Sequence, residues 1–276
     1  MGDLQGRVAF ITGVARGQGR AHALRLARDG ADIIGLDSCT DVGSINYSNA
    51  TEADLAETAR LVEALDRRIV VSKADVRDYD AVVGAFQKGY AEFGRVDIVI
   101  ANAGVLRLGP ESDDPLADWS DVIDVNLTGV FHTVRAALPA MREGGRGGSI
   151  VLTSSSAGLK GLNSLAPSSL AYAAAKRGLV ALMQTLANVL GPEWIRVNTI
   201  HPTGVKSGMT QNPVAEAMMA AAAAGRKTEV SNAVNVLPIT MLEPEDVANA
   251  VAFLVSDEAR PITGVQFPVD AGFAVR

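Results

Sequence analysis

The chain has one cysteine, Cys39, among 276 residues, which excludes an internal disulfide. A lone loop cysteine is more often inert than reactive. No apolar run approaches the ~18 residues of a membrane span, and no signal-peptide pattern opens the chain, so a cytoplasmic protein is expected. Position 6 is Gly, where a myristoylation signal after Met1-Gly2 needs Ser or Thr. With a formal net charge of −6 and no Lys/Arg cluster, nucleic acid and anionic membrane surfaces are excluded as partners. His22, His132 and His201 have neither the spacing nor the acidic or sulfur company of a metal site, so no metal is implied. No Pro/Ser-rich linker or charge block divides the chain, and 1–276 is expected to be a single domain.

What is present is an alternation of apolar runs and helical patterns. Candidate strands are Val8 to Thr12, Asp32 to Leu36, Ile69 to Lys73, Ile98 to Ala101, Ser149 to Thr153, Arg196 to Ile200 and Val265 to Val269. Their near-continuous apolar content suits strands covered on both faces, which predicts an α/β fold with a doubly wound, seven-stranded parallel sheet and helices on both sides. Directly after the first strand comes Gly13-Val14-Ala15-Arg16-Gly17-Gln18-Gly19, followed by a helical pattern. Glycines are required where a backbone turns sharply and approaches a pyrophosphate held by the free N–H groups of a helix N-terminus. The spacing departs from the common dinucleotide fingerprint, so the context carries more than the letters. Asp37 ends the second strand, 24 residues after Gly13, where a carboxylate accepts from the ribose hydroxyls of NAD and repels the 2′-phosphate of NADP. Arg16 pulls the other way, since a guanidinium can pair with a phosphate, or it is a solvated loop residue.

Tyr172 and Lys176 stand four apart, on one face of a helix. A phenol has an ordinary pKa of about 10, so acid/base work near neutrality needs a neighbouring cation to lower it. Taken alone, such a pair is common on solvated helix faces. Upstream lies Ser154-Ser155-Ser156, at the end of an apolar run. Serines in that place also serve as turn or cap residues.

These motifs together resemble the short-chain dehydrogenase/reductase family over essentially the whole chain, and imply a single Rossmann domain. Thr12 to Gly19, Asp75-Val76, Asn102-Ala103-Gly104, Asn126, Ser155, Tyr172 with Lys176 and His201-Pro202-Thr203-Gly204 fall in the family's order. The resemblance implies that Asp75 and Val76 contact the adenine and that Asn102, Ala103 and Gly104 shape the sheet beside the cofactor. It implies that Lys176 also binds the nicotinamide ribose, that Asn126 holds a water in a proton relay, and that Pro202, Gly204 and Val205 lie at the carboxamide. In the family the acting serine lies three residues before a glycine, so by this resemblance Gly158 selects Ser155 as the serine that steadies the substrate oxygen with Tyr172. The family's Pro-Gly reads Pro202-Thr203-Gly204 here, and the 17-residue gap from Ser155 to Tyr172 is a few residues longer than usual. The excess, within Leu162 to Ser169, is expected to enlarge a loop at the rim of the site.

The stretch 38–54 exceeds a minimal loop and, with Arg67 to Val70, Asp75 to Asp78 and Ile200 to Val205, is similar to the mycofactocin-dependent, carveol-dehydrogenase-like subgroup. In that subgroup the insertion is thought to close over NAD so that it does not exchange. An ordinary surface loop of variable length is the plainer reading. Residues 206–240 are expected to form a substrate lid whose Ala/Met helix, Val214 to Gly225, favours a small apolar alcohol or ketone. The run Leu179 to Leu190 is apolar around most of its circumference, which suggests burial against the sheet and against either a partner copy or a neighbouring segment of the same chain; the resemblance implies a homotetramer. The expected function is NAD-dependent interconversion of a secondary alcohol and a ketone, coupled to mycofactocin or another redox carrier. The alternatives are an NADPH-dependent carbonyl reductase and a non-catalytic dinucleotide-binding regulatory protein.

Overall fold

The computed structural model describes residues 3–226, 228 and 234–276. In chain order the strands are β1 (Val8–Thr12), β2 (Asp32–Asp37), β3 (Ile69–Lys73), β4 (Ile98–Ala101), β5 (Gly148–Thr153), β6 (Ile195–Pro202) and β7 (Gln266–Val269). They form one seven-stranded sheet, order β3-β2-β1-β4-β5-β6-β7, with every neighbouring pair parallel. Each expected strand is found, β1, β3 and β4 with the expected ends and the others with an end displaced by one or two residues. β6 runs on through His201 and Pro202 because both pair with β7, and β7 begins at Gln266.

The principal helices are α1 (Gly17–Arg28), α2 (Glu52–Glu63), α3 (Tyr79–Phe93), α4 (Pro115–Ile123), α5 (Gly129–Gly144), α6 (Ala157–Lys160), α7 (Pro167–Leu190), α8 (Pro213–Ala223) and α9 (Pro244–Val255). Local chemistry sets their ends. A Thr51/Asp54 capping box opens α2, Asp78 caps α3, Asp114 caps α4 ahead of Pro115, and left-handed Gly94 and Gly145 close α3 and α5.

Successive strand side chains alternate between two buried cores. Phe10, Ile34 and Val99 face one core, shared with Val82 and Phe86 of α3, Val130 and Val134 of α5, and Leu179 and Met183 of α7. Ile11, Ile33 and Ile100 face the other, shared with Leu26 of α1, Leu55 and Val62 of α2, and Val247 and Val251 of α9. No helix among the described residues is long and apolar enough to cross a membrane. Residues 227 and 229–233 of the expected lid lie outside the described residues.

His22, on the inner face of α1, is fully buried, and neither ring nitrogen meets a hydrogen-bond partner among the described residues. Burial lowers its pKa from 6.5 to about 4. Above about 6.5 both folded and unfolded chains hold it neutral. Between the two values only the unfolded chain takes up the proton, so stability falls with pH over this window, by roughly 3 kcal/mol in total. In urea melts from pH 7 to pH 4, His22→Leu is expected to flatten the decline by up to about 1.4 kcal/mol per pH unit relative to the unmodified protein.

Candidate active site

A cavity of about 980 Å³ runs along the carboxyl ends of the strands, across the point between β1 and β4 where strand order reverses. Of the residues singled out from the sequence as catalytic or cofactor-binding, all line it except Gly19 and Asn126, which are buried.

At one end, β1 turns into α1 through Gly13, at φ +69°, where a Cβ would lie 2.9 Å from Ala103 Cα. A Cβ on Gly19 would fall 1.9 Å from the Gly13 carbonyl oxygen, so the helix can leave the turn only with glycine there. Arg16 at the N-cap is extended, supplies no side-chain cap, and no acidic residue occupies the first turn of α1. The positive helix end, including Gly17 and Gln18, therefore faces the cavity without a carboxylate of the chain in its first turn, which suits an anion. Gln18 adds a buried Oε1 with no partner among the described residues.

Asp37 sits beside this turn. Its Oδ2 accepts from Ala15 N at 3.0 Å and its Oδ1 from Cys39 N at 3.3 Å. Burial pushes its carboxyl above the ordinary range, while these N–H donors and the Arg16 charge pull the other way. Burial also pushes Asp75 up, but hydrogen bonds and charge from Arg77 outweigh it and hold the carboxyl below its usual range. Val76 packs beside it under Gly129. Asn102 stitches β4 to the turn: its amide N and that of Ala103 donate to Thr12 Oγ1, and its Nδ2 donates to Thr12 O at 3.1 Å.

At the other end Ser154 and Ser155 are placed differently. Ser154 Oγ is buried and donates to the Lys176 carbonyl at 2.8 Å, which makes it a strut between β5 and α7. Ser155 instead lines the cavity and shares a hydrogen bond with the Tyr172 phenol. Gly158 permits this, because a Cβ there would lie 2.8 Å from both Lys176 O and Ser154 Oγ. His201, which sequence reasoning treated only as part of a turn, orients Ser155 from behind. Its Nδ1 lies 3.0 Å from Ser155 O, an acceptor only, so Nδ1 carries the proton and Nε2 accepts from Thr199 Oγ1 at 2.8 Å. Burial lowers the imidazole's pKa, which favours the neutral form.

Lys176 is 2% exposed; its Nζ donates to Thr153 O at 2.8 Å and lies 5.4 Å from the Tyr172 ring centroid. Burial brings its pKa down to about 7. The expectation that Lys176 lowers the Tyr172 phenol gives way to a different balance: desolvation raises it, and the Ser155 hydrogen bond opposes that. Asn126 lies in a π-helical turn, Asp124–Thr128, between α4 and α5. Its Nδ2 donates to Val105 O and Val122 O, both at 2.8 Å, while its buried Oδ1 has no partner among the described residues. Such π turns widen a helix at functional sites.

Two loops complete the walls. From 38–54 come Val42, Tyr47 and Ala50; from beyond β6 come Gly204, Val205, Met209, Met218 and Met219. Three side chains tie the first loop down: Asn46 Nδ2 donates to Leu108 O at 2.8 Å, Arg107 Nη1 to Ser44 O at 3.0 Å, and Arg16 Nη2 to Ser48 O at 2.6 Å. Tyr47 was missed from sequence; its phenol bonds the Leu106 backbone and is pushed up to about 12 by burial. Arg16 also fills the space beside Gly208, where a Cβ would lie 2.7 Å from its guanidinium carbon. The rim segment before α7 contributes Leu162 and Asn163.

A family model described as "Enoyl-(Acyl carrier protein) reductase" matches residues 13–274. An uncharacterised oxidoreductase of Mycobacterium tuberculosis is 52% identical over 98% of this chain and 97% of its own. The (−)-trans-carveol dehydrogenase of Rhodococcus erythropolis is 45% identical, with both chains covered completely. The crystal structure of carveol dehydrogenase from Mycobacterium avium in complex with NAD superposes with a TM-score of 0.89 at 44% identity, again over the whole of both chains.

Gly104 packs against Asn126 and Lys176. A Cβ there would lie 2.8 Å from Asn126 Oδ1 and 3.4 Å from Lys176 Nζ, and Asn126 is fixed by two bonds. Gly104→Ala is expected to cost about 1–3 kcal/mol in denaturant unfolding, the range of a small overpacking change in a rigid interior; an unchanged midpoint would contradict this placement.

Proposed function

We propose, for a chain that belongs to the short-chain dehydrogenase/reductase family, that it is an NAD-dependent enzyme interconverting a small apolar secondary alcohol and its ketone. One observation carries this reading: Ser155, Tyr172 and Lys176 meet in the same cavity as Asp37 and the open N-terminus of α1. The cavity fits the dinucleotide. The turn at Gly13 and Gly19 leaves room for a close backbone approach, and the Gln18, Asn126 and Thr153 side chains hold buried oxygens with no partner among the described residues.

In this reading the N–H groups at Gly17 and Gln18 hold the pyrophosphate, and Asp37 accepts from ribose hydroxyls and disfavours a 2′-phosphate. Asp75 and Val76 border the adenine. Asn102, Ala103 and Gly104 form the floor; Pro202, Gly204 and Val205 lie against the nicotinamide end. NAD, when bound, supplies the hydride acceptor. Tyr172, as phenolate, takes the hydroxyl proton of the alcohol, and Ser155 donates to the same oxygen. Lys176 holds positive charge beside the phenolate and contacts the ribose. Asn126 Oδ1 seats a water that connects Lys176 to solvent. The apolar walls from Leu106, Leu108, Met218 and Met219 select against polar substrates.

The finer proposal concerns exchange. Residues 38–54 act as a flap over the cofactor and 206–240 as the substrate lid. The flap is held through Asn46, Arg107 and Arg16, so the dinucleotide leaves only after several hydrogen bonds break together. Bound NADH is then reoxidised in place by an external redox carrier of the mycofactocin type. Phe131 on α5 and Leu170 and Val189 on α7 stay exposed, and the proposal pairs these faces in a homotetramer.

Protein purified without added cofactor is expected to carry NAD, and a secondary alcohol should reduce it once, read as nicotinamide absorbance. Isotopically labelled NAD, added and then removed, should leave little label behind in the unmodified protein and much more in Arg16→Ala. Rapid uptake of label by the unmodified protein would refute the held cofactor. Failure of every apolar secondary alcohol to reduce bound or added NAD would refute the dehydrogenase reading.

A further inference from the structure

On the opposite edge of the sheet, the amino ends of β1, β4, β5 and β6 and the turn after α9 enclose a second hollow of about 320 Å³. It is lined by Arg7, Arg95, Arg146, Arg196 and Arg260 against only Asp97 and Asp257. Both carboxylates are already engaged. Arg7 Nη2 pairs with Asp257 at 2.6 Å; Arg95 binds Asp97 through two bonds of 2.8 and 2.7 Å, and Asp97 also accepts from Val8 N.

Three guanidiniums are left in excess. Arg146 makes only a long ion pair, Nε to Asp97 Oδ1 at 3.8 Å, with a carboxylate that Arg95 already holds through two shorter bonds. Arg260 has no carboxylate within ion-pair reach among the described residues and stands 5.5 Å from the Trp194 ring centroid. Arg196 is partly buried and donates only to carbonyls, of Leu254 at 2.6 Å and of Ile262 and Ser256 at 3.2 Å. Asp257 attracts Arg196 but is bonded to Arg7, so no carboxylate bonds the half-buried Arg196 directly, and like charges gathered around one depression repel. In a chain of net charge −6 this excess is local.

The rim is also strained. Trp194 adopts the left-handed conformation, φ 58°, which a bulky residue rarely takes, and its side chain is 62% exposed. Its carbonyl accepts from Gly148 N at 3.1 Å, and a Cβ on Gly147 would lie 2.7 Å from that same oxygen. The backbone therefore holds a large planar ring at the mouth of the hollow without burying it.

We propose that this hollow is a second site, separate from the dinucleotide cavity, which binds a compact multivalent phosphate through Arg146, Arg196 and Arg260. Guanidinium forks match phosphate oxygens in pairs, and an oxyanion relieves the mutual repulsion of the three cations. The volume suits a ligand of nucleoside-phosphate size or smaller. The exposed face of Trp194 offers a stacking surface should the phosphate carry a base.

The test uses full-length protein saturated with NAD, so that the N-terminus of α1 cannot supply the signal, and titrates inorganic pyrophosphate or AMP calorimetrically at ionic strength fixed with KCl. Saturable binding is expected, with a concentration-dependent rise in melting temperature. Arg146→Gln with Arg260→Gln should melt like the unmodified protein without ligand, because both side chains are exposed, and should bind at least about tenfold more weakly, the scale of one charge-assisted hydrogen bond. Tighter binding of AMP, weakened by Trp194→Ala, assigns the site to nucleoside phosphates; tighter binding of pyrophosphate assigns it to inorganic ones. No saturable binding of either, or binding undiminished in the double variant, overturns the proposal.

Discussion

A primary amine buried between β5 and α7 sets the terms for the catalytic end of the cavity. Lys176 is almost inaccessible, and a desolvated amine is tolerable only where acceptors surround it or where it gives up its charge readily. The structure does both: Thr153 O accepts a hydrogen bond from its Nζ, and burial brings its pKa to about 7. The helix must lie very close to the strand for this to happen. Ala171 and Ala175 are fully buried, Gly158 leaves room for the Lys176 carbonyl, and Ser154 bonds that carbonyl. Tyr172 and Ser155 are consequences of the same seating, one turn earlier on α7 and two residues beyond the end of β5.

The charge balance explains why the pair needs its surroundings. Desolvation raises the phenol and lowers the amine, so the two move away from a phenolate and ammonium in the cavity as it stands. Whatever restores the ion pair during reaction has to supply polar contacts there. The Asn126 and Thr153 oxygens that lack partners among the described residues are the nearest candidates, the first of them held by the π turn between α4 and α5.

Much of this was legible in the chain. Parallel strands covered on both faces read as apolar runs, so all seven were visible, and Gly158 pointed to Ser155 before the reason for it, a backbone contact with α7, could be seen. What could not be read are contacts between distant segments. Arg107 reaches Ser44, Tyr47 reaches Leu106, and His201 holds Ser155, none of which any local spacing announces. Arg16 looked like a phosphate partner or a solvated loop residue; folded, it donates to Ser48 O and fills the space by Gly208. The five arginines of the second hollow sit in separate segments, so no charge cluster appears along the chain.

The account centres on proton transfer by Tyr172 within this seating. Substituting Tyr172→Phe keeps the ring and removes only the hydroxyl, so single-turnover reduction of enzyme-bound NAD by a secondary alcohol is the most direct measurement. The account predicts loss of at least about a hundredfold in that rate with NAD still bound, the scale of general acid/base catalysis. Hydride transfer at close to the unmodified rate in a variant of unchanged stability would contradict it.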